Sequence, residues 1–399
     1  MSRLLRVAIV HNRYQEPGGE DIAFEFECAL LQRAGHYVVR FELHNDAIHT
    51  MRRHEVARKA IWNRDVGHKL KTLFRHERID VVHVHNTLPL VSPAVYAAAR
   101  NAGAAVVQTL HNYRSVCPAA TLYRDGRPCE ACVGKPFAWP GIRHVCYRHD
   151  MAASATVAAT LVVQRLQRRF GTPVDCYIAL TQFAKSRYVA GGLPADRIRV
   201  KPNSTDRPPS RGPSHTGPAL FAGRLSEEKG LAVMLEAWRN DSELPVARIL
   251  GDGPMRDGAL ELASTHPHVE APGRVPRERM SDEFASASML VFPSIWYECF
   301  PMTIVEAFAV GLPVIASRLG SIAEIVEDGR TGLHFEPGDA ADLATKVRWL
   351  RERPEAAARM GAAARETFES DYSPERNLQQ LEAIYAEARR VAPRSAPTR

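Results

Sequence analysis

Residues 289–317, MLVFPSIWYECFPMTIVEAFAVGLPVIAS, decide how this chain is read. The stretch opens on an apolar run, MLVFPS, passes through a helical segment at 301–310 and ends on a second apolar run, PVIAS. Short apolar runs separated by helical segments mark parallel strands joined by right-handed crossovers. The same alternation continues outward. ALFAGR (219–224), ARILGDG (247–253) and TGLHFEP (331–337) are strand-like, with helices expected at 230–239 and 340–350. In the N-terminal half RVAIV (6–10), YVVRFEL (37–43), DVVHVH (80–85) and AAVVQTL (104–110) alternate with helical stretches such as 20–34 and 93–101. The fold class is α/β, with two Rossmann-like, doubly wound parallel-sheet domains facing a cleft. In such sheets ligands sit at the carboxyl ends of the strands.

Composition sets the boundaries. The 399 residues are 45% apolar and 24% charged, which excludes a disordered chain, a collagen or a coiled coil and suggests two or three domains. The first domain is expected over 1–200, interrupted at 112–150 by an insertion holding four Cys. The segment 201–218, KPNSTDRPPSRGPSHTGP, carries five Pro and reads as a linker. A second domain follows over 219–372, then an amphipathic helix over 373–390 expected to pack back toward the first domain, and a frayed tail. No apolar run approaches the ~18 residues of a spanning helix. The apolar stretch at 7–10 is too short for a signal peptide and reads as a buried first strand. Seven Cys, an odd number, fit a reducing compartment, so the expected location is cytoplasmic. The net charge of +7 divides unevenly. Residues 1–200 hold 28 Lys and Arg against 16 Asp and Glu, or +12, and the remainder carries −5, which suggests different partners for the two halves.

Chemistry-bearing residues gather at strand ends. Gly18 and Gly19 stand between the first strand and its helix, where paired glycines let backbone N–H groups approach a phosphate. The spacing is not G-x-G-x-x-G, which counts against a dinucleotide site, and a plain turn is the alternative. Arg224 and Lys229, in AGRLSEEKG (222–230), follow a strand and suit a diphosphate clamp, the alternative being a solvated charged loop. Gly251 and Gly253 form another strand-end turn where backbone can come close to a ligand. The most specific feature is Glu298 and Glu306, two carboxylates separated by seven residues. Pro301 suits the first position of a helix, which directs the N–H groups of Met302 and Thr303 at a phosphate. Glu306 then falls about one and a half turns along the helix, a place for a carboxylate to accept a ribose diol. A capping Glu and an internal salt bridge are the alternative.

With these residues assembled, the chain resembles the retaining glycosyltransferases of the GT-B fold, family 4. The resemblance is carried by AGRLSEEKG, LGDGP, VFPSIWYECFPMTIVEAFAVGLPVIAS and GRTGLHFEPGD, and in the first half by PGGE, DVVHVHN, TLHNYRSVCP and KPNS. It implies that Glu306 holds the nucleotide ribose and that Glu298 holds the donor-sugar hydroxyls. Arg224 and Lys229 neutralise the departing diphosphate, and Phe300, Gly251 and Gly253 join the donor site. His111 matches the family's active-site histidine near the transferred sugar; a lone His is otherwise more often a satisfied, partly buried residue. Pro301 departs from the pattern, since many relatives carry Gly there. The implied substrates are a UDP- or GDP-type sugar and a saccharide or lipid-linked acceptor held by the N-terminal domain. The implied setting is cell-surface polysaccharide or glycolipid synthesis. No Asp-x-Asp motif is present, so cations and helix N-termini are expected to stabilise the leaving group with no cofactor required for catalysis. The alternatives are a catalytically weak nucleotide-sugar-binding partner protein and a phosphorylase, for which no pyridoxal-phosphate lysine motif is seen.

Two constellations stand apart. Cys117, Cys129, Cys132 and Cys146 are spaced C-x11-C-x2-C-x13-C, a donor set for a structural zinc, with ordinary thiols or a disulfide as the equal alternative. Residues 52–78 hold nine Lys and Arg, including Arg52, Arg53, Arg58 and Lys59, interleaved with Trp62 and Phe74. Such a segment is either a solvated helix face or a peripheral contact with the anionic inner face of a membrane. No nucleic-acid motif accompanies the charge, so nucleic acid is not an expected partner.

Overall fold

The computed structural model describes residues 4–15, 18–171, 174–206, 208 and 216–392, with no side-chain description at 169–171. The chain divides into two compact units. The first gathers Met1–Thr121, Glu130–Asn203 and Asn377–Arg399; the second gathers Leu122–Cys129 and Ser204–Arg376.

The first unit is built on strands β1 (Arg6–Arg13), β2 (Tyr37–His44), β3 (Val81–Val84) and β4 (Ala105–Leu110). A two-stranded antiparallel ribbon of the second unit follows, β5 (Tyr123–Arg124) and β6 (Arg127–Pro128), and then β7 (Cys176–Ala179) and β8 (Ile198–Val200) complete the first sheet. Its order is β2-β1-β3-β4-β7-β8, with every pairing parallel. The strands read as nearly continuous apolar runs because both faces are covered: β3 and β7 are buried along their whole length.

The second unit repeats the plan with β9 (Ala219–Ala222), β10 (Ala247–Leu250), β11 (Val269–Gly273), β12 (Met289–Phe292), β13 (Val314–Ser317) and β14 (Gly332–Phe335), in the order β11-β10-β9-β12-β13-β14, all parallel. Strand alternation divides its apolar residues between two cores. Ala219, Phe221, Met289, Val291 and Ile315 pack on one face with Met234 and Trp238 of the helix Leu231–Asn240. Leu220, Leu290, Val314 and Ala316 pack on the other with Ile304, Val305 and Phe308 of the helix Met302–Val310. Each order reverses beside its first strand, β1 or β9, which places the strand-end loops around a switch point.

The expected insertion 112–150 does not stay whole, because the ribbon Leu122–Cys129 groups with the second unit. The expected linker also begins late. Lys201 is fully buried in the first unit, held there by a carboxylate. Residues 207 and 209–215 of that segment, and 393–399 of the tail, lie outside the described residues. The helix Pro374–Val391 joins the first unit from Asn377 onward, through Glu382 to His36 and Tyr385 to His83. Strands β7, β8 and β11 of the two sheets and the ribbon β5–β6 are additional to the sequence reading; β8, at three residues, is too short for a periodicity to register.

Phe74 is wholly buried, in the helix Arg64–His76, so it is a core residue and not a membrane contact. Trp62, by contrast, is 37% exposed. Among the described residues no helix is long and apolar enough to cross a membrane.

Candidate functional site

In the second unit the site grows from three strand ends. After β9 the chain turns through Gly223 and an exposed Arg224, then a short 3-10 turn, Glu227–Lys229, that ends at Gly230. Gly230 has φ +69°, and a Cβ there would come within 1.8 Å of the Pro293 carbonyl oxygen. Only glycine lets this loop settle against the end of β12, with Ile295 N–H donating to the Glu228 carbonyl at 3.0 Å. That contact places Lys229 Nζ 2.6 Å from Glu298 Oε1. Ser294 donates to the same oxygen at 2.8 Å, and Glu298 is buried. Lys229 also lies 5.4 Å from the centre of the Trp296 ring, whose Nε1 is buried with no acceptor among the described residues.

The turn after β10 is as tight. Gly251, at φ +141°, would put a Cβ 1.8 Å from the Gly223 carbonyl oxygen, and Gly253 is pressed against Leu225 in the same way. The two loops thus share one backbone surface, tied by Gly223 N–H to the Leu250 carbonyl and Leu225 N–H to the Asp252 carbonyl. Next comes the helix Met302–Val310. Pro301 is its N-cap and not its first residue, a one-position correction, and it leaves the N–H groups of Met302 and Thr303 at the open helix end. Phe300 is half-buried, its ring centroid 6.0 Å from that of Tyr372. Glu306, half-buried, makes no side-chain hydrogen bond among the described residues. Burial raises its pKa to about 7, and Arg277 pulls weakly the other way. The second unit therefore brings Arg224, Lys229, Glu298, Gly251, Gly253, Met302, Thr303 and Glu306 to one end of its sheet.

In the first unit the strand ends carry a different chemistry. Gly18 caps the helix Gly19–Arg33, with open space where its Cβ would be, but its N–H is already donated to Asp21 Oδ2 at 2.8 Å. Asp21 Oδ1 meets the buried His11 Nε2 at 2.9 Å. Glu20 accepts from Tyr14 Oη at 2.9 Å and from Asn112 Nδ2 at 3.1 Å. Burial lifts its pKa to about 7 against the pull of His11 and these donors. His111 stands just past β4, half-buried, and lines a cavity of about 40 Å³ with Gln108, Asn112, Arg114 and Ser115. Burial first, and then His85, holds its pKa well below the ordinary imidazole value, so it is neutral near pH 7.

The reading of the sequence missed Glu27, His85, Lys201, Glu20 and Tyr14. The signal for the first two was present. His83 in the buried strand β3 and His85 one residue past its end are two apart in an apolar run, and Glu27 occupies a core position of its helix.

The cysteines give a correction. None of the seven is in a disulfide. Cys132 packs as an apolar side chain with Ala138, Ala158 and Leu161, and Cys129 belongs to the second unit. Cys117, Cys132 and Cys146 form no group of converging donors; among the described residues that geometry is found for Glu27, His83 and His85. The expected structural zinc has no assembled site.

The sequence model of the Glycosyl transferases group 1 family matches residues 204–367, and that of the Glycosyl transferase 4-like domain matches residues 6–204. A sulfoquinovosyl transferase of Arabidopsis thaliana is 36% identical over 155 residues, 38% of this chain and 29% of the relative. A D-inositol 3-phosphate glycosyltransferase of Arthrobacter sp. is 33% identical over 198 residues, 42% of this chain and 45% of the relative. The chain thus spans less than half the length of these curated relatives. Among solved structures, Anabaena Alr3699/HepE in complex with UDP superposes with a TM-score of 0.68 at 17% identity, covering 96% of this chain and 100% of that one.

Proposed function

Because the chain belongs to the group 1 glycosyltransferases and has their GT-B fold, we propose that it moves a sugar from a nucleotide-sugar donor to a saccharide or lipid-linked saccharide, with retention of configuration. The observation that carries this reading is the cluster in the second unit. It sets two cations, a helix N-terminus and a half-buried carboxylate at one end of the sheet, the requirements of a nucleoside diphosphate linked to a sugar. Glu306 would accept the ribose diol. The N–H groups of Met302 and Thr303 and the Arg224 guanidinium would take phosphate oxygens. Lys229, released in part from Glu298, would follow the charge that develops on the leaving diphosphate, and Glu298 would then hold donor-sugar hydroxyls. His111 would meet the transferred sugar. An oxocarbenium-like transition state gains from such charge placed in advance. The UDP bound by the Anabaena neighbour supports a uridine donor.

The acceptor side rests on charge. The exposed Arg52, Arg53 and Arg58 and the exposed Trp62 suit a peripheral contact with an anionic membrane face, where a lipid-linked acceptor would be met. A thermal-shift panel of UDP-, GDP- and ADP-sugars, followed by product analysis with the stabilising donor, tests the function. One class should raise the melting temperature and yield a glycosylated product of retained configuration. Binding without product points to the partner-protein alternative, and no binding by any of them ends the proposal.

A further inference from the structure

His111 Nε2 stands 2.8 Å from His85 Nδ1, with the ring centroids 4.9 Å apart and the ring planes 23° apart. The other nitrogen of His85, Nε2, faces Glu27 Oε2 at 3.4 Å, and both of those atoms are buried with no hydrogen-bond partner among the described residues. Buried polar atoms left unpaired are costly, so the arrangement that serves both is a proton on His85 Nε2 directed at the carboxylate. A neutral imidazole carries a single ring proton. His85 Nδ1 is then an acceptor, the proton between the two rings belongs to His111 Nε2, and the lone pair of His111 is left on Nδ1.

The surroundings hold this order in place. Glu27 Oε1 accepts from Lys201 Nζ at 2.7 Å, and that ammonium is held by Asn377 Oδ1 at 3.2 Å and the Pro202 carbonyl at 3.3 Å. Burial would raise the Glu27 carboxyl, but Lys201 and the imidazoles hold it well below the ordinary range, so it is ionised. Burial lowers the pKa of His85 too, which keeps the ring neutral. The neighbouring His83 is committed elsewhere, Nδ1 to Tyr385 Oη and Nε2 to Thr109 Oγ1, both at 2.8 Å. The donor atoms of Glu27, His83 and His85 lie within 4.8 Å of one another, as a metal would require, but Lys201 already supplies the cation at Glu27.

We propose that Glu27 and His85 are positioning residues that fix His111 in its Nε2-protonated form, so that His111 presents Nδ1 to the transferred sugar as a hydrogen-bond acceptor. The inference rests on the placement of His111 at that sugar and adds the class of group it selects. A hydroxyl or N–H suits Nδ1, whereas the carboxylate of a uronic acid does not. Orientation of a functional imidazole by a buried carboxylate is a general device; here a second imidazole carries it one step further.

Nitrogen-15 NMR of the intact protein with labelled histidine reads the tautomers directly, with signals assigned through His111→Gln and His85→Gln. Near pH 7 both rings should carry their proton on Nε2; a proton on His111 Nδ1 overturns the proposal. Glu27→Gln supplies the sharper test. Its amide oxygen should face Lys201 and its NH2 group should face His85, which inverts both rings and moves the His111 proton to Nδ1. With the donor that supports transfer, kcat should then fall about tenfold or more while the donor KM changes little. An inverted tautomer with unchanged kcat overturns the catalytic relevance. Stoichiometric zinc bound by the wild type and lost in His85→Gln would make the cluster a metal site and overturns the relay. Should Glu27→Gln fail to fold, the wild-type spectrum still decides. A protein with the expected tautomers that turns over no nucleotide sugar defeats the transfer reading and leaves the relay standing.

Discussion

The strand ends of the two units are furnished in opposite ways. In the first, the polar side chains occupy one another: Asp21 holds His11 and the Gly18 N–H, Glu20 holds Tyr14 and Asn112, and one line runs from the buried Lys201, Glu27 and His85 out to the half-buried His111. In the second, the surface is made by backbone. Glycines let three loops press together, Arg224 is exposed, and Glu306 has no hydrogen-bond partner among the described residues. Lys229 and Glu298 are the exception, an ion pair that a ligand can divide. The first arrangement spends its polar groups on fixing geometry before any substrate arrives. In the proposed function the second keeps them for a polyanion, whose charge would supply the missing partners.

The largest effect should come from breaking the buried line of the first unit. Lys201→Met leaves the Glu27 carboxylate buried without its cation, at a cost of about 3–5 kcal/mol. Chemical denaturation should show the loss, with much of it recovered in the Lys201→Met, Glu27→Gln double variant. A change below about 1 kcal/mol would mean that the line is not the support it looks to be.

Gly251→Ala comes next and strikes the backbone-built surface. A Cβ at a positive φ, 1.8 Å from a carbonyl oxygen, forces the β9 and β10 loops apart. A loss of about 3 kcal/mol together with weakened nucleotide-sugar binding is expected, read by melting curves and titration calorimetry. Full donor affinity in the folded variant would separate this turn from the donor site.

Lys229→Ala should reduce kcat/KM by about 2–3 kcal/mol while the fold stays intact, because Ser294 still satisfies Glu298. A loss of donor affinity that accounts for the whole fall in kcat/KM, with kcat unchanged, would indicate binding alone, with no added role in the transition state.

The smallest effect is a pH dependence. The carboxyl group of Glu306 has its pKa raised to about 7 by burial, and its ionised form is the one that accepts two hydroxyls. Donor affinity should rise as pH passes from about 6 to about 8, and Glu306→Gln should flatten that rise. The native state binds this proton more tightly than the unfolded chain does, so the contribution of Glu306 to stability is full below the ordinary carboxyl range and falls as pH rises toward 7. Glu306→Gln should therefore melt higher than wild type near pH 8, with the gap closing toward pH 4. Parallel melting curves at all pH values would remove the titration from Glu306.

Nine of the twelve strands of the two sheets were legible because parallel strands buried on two faces are apolar throughout, as in MLVF at β12 and VVHV at β3. The residues proposed for the donor site could be singled out for a related reason. They are adjacent in sequence, on single loops whose glycines and charges are grouped, as in AGRLSEEKG. The relay was not, since Glu27, His85, His111 and Lys201 come from four separate segments and acquire a common purpose only when the sheet aligns them. The four cysteines erred in the opposite direction, with a suggestive spacing that the fold does not bring together.

By itself, then, the sequence determined what periodicity and local grouping can carry: two parallel α/β sheets, the glycine-rich strand ends and the carboxylate pair at Glu298 and Glu306. Tertiary structure alone decided which polar groups are spent on one another and which remain for a ligand. That Lys201 is a buried partner of Glu27 and not part of a linker, and that Glu306 is half-buried enough to have its pKa lifted to about 7, are matters of burial and distance between remote segments. Desolvation and Coulomb energies depend on those separations in space and not on the order of residues along the chain.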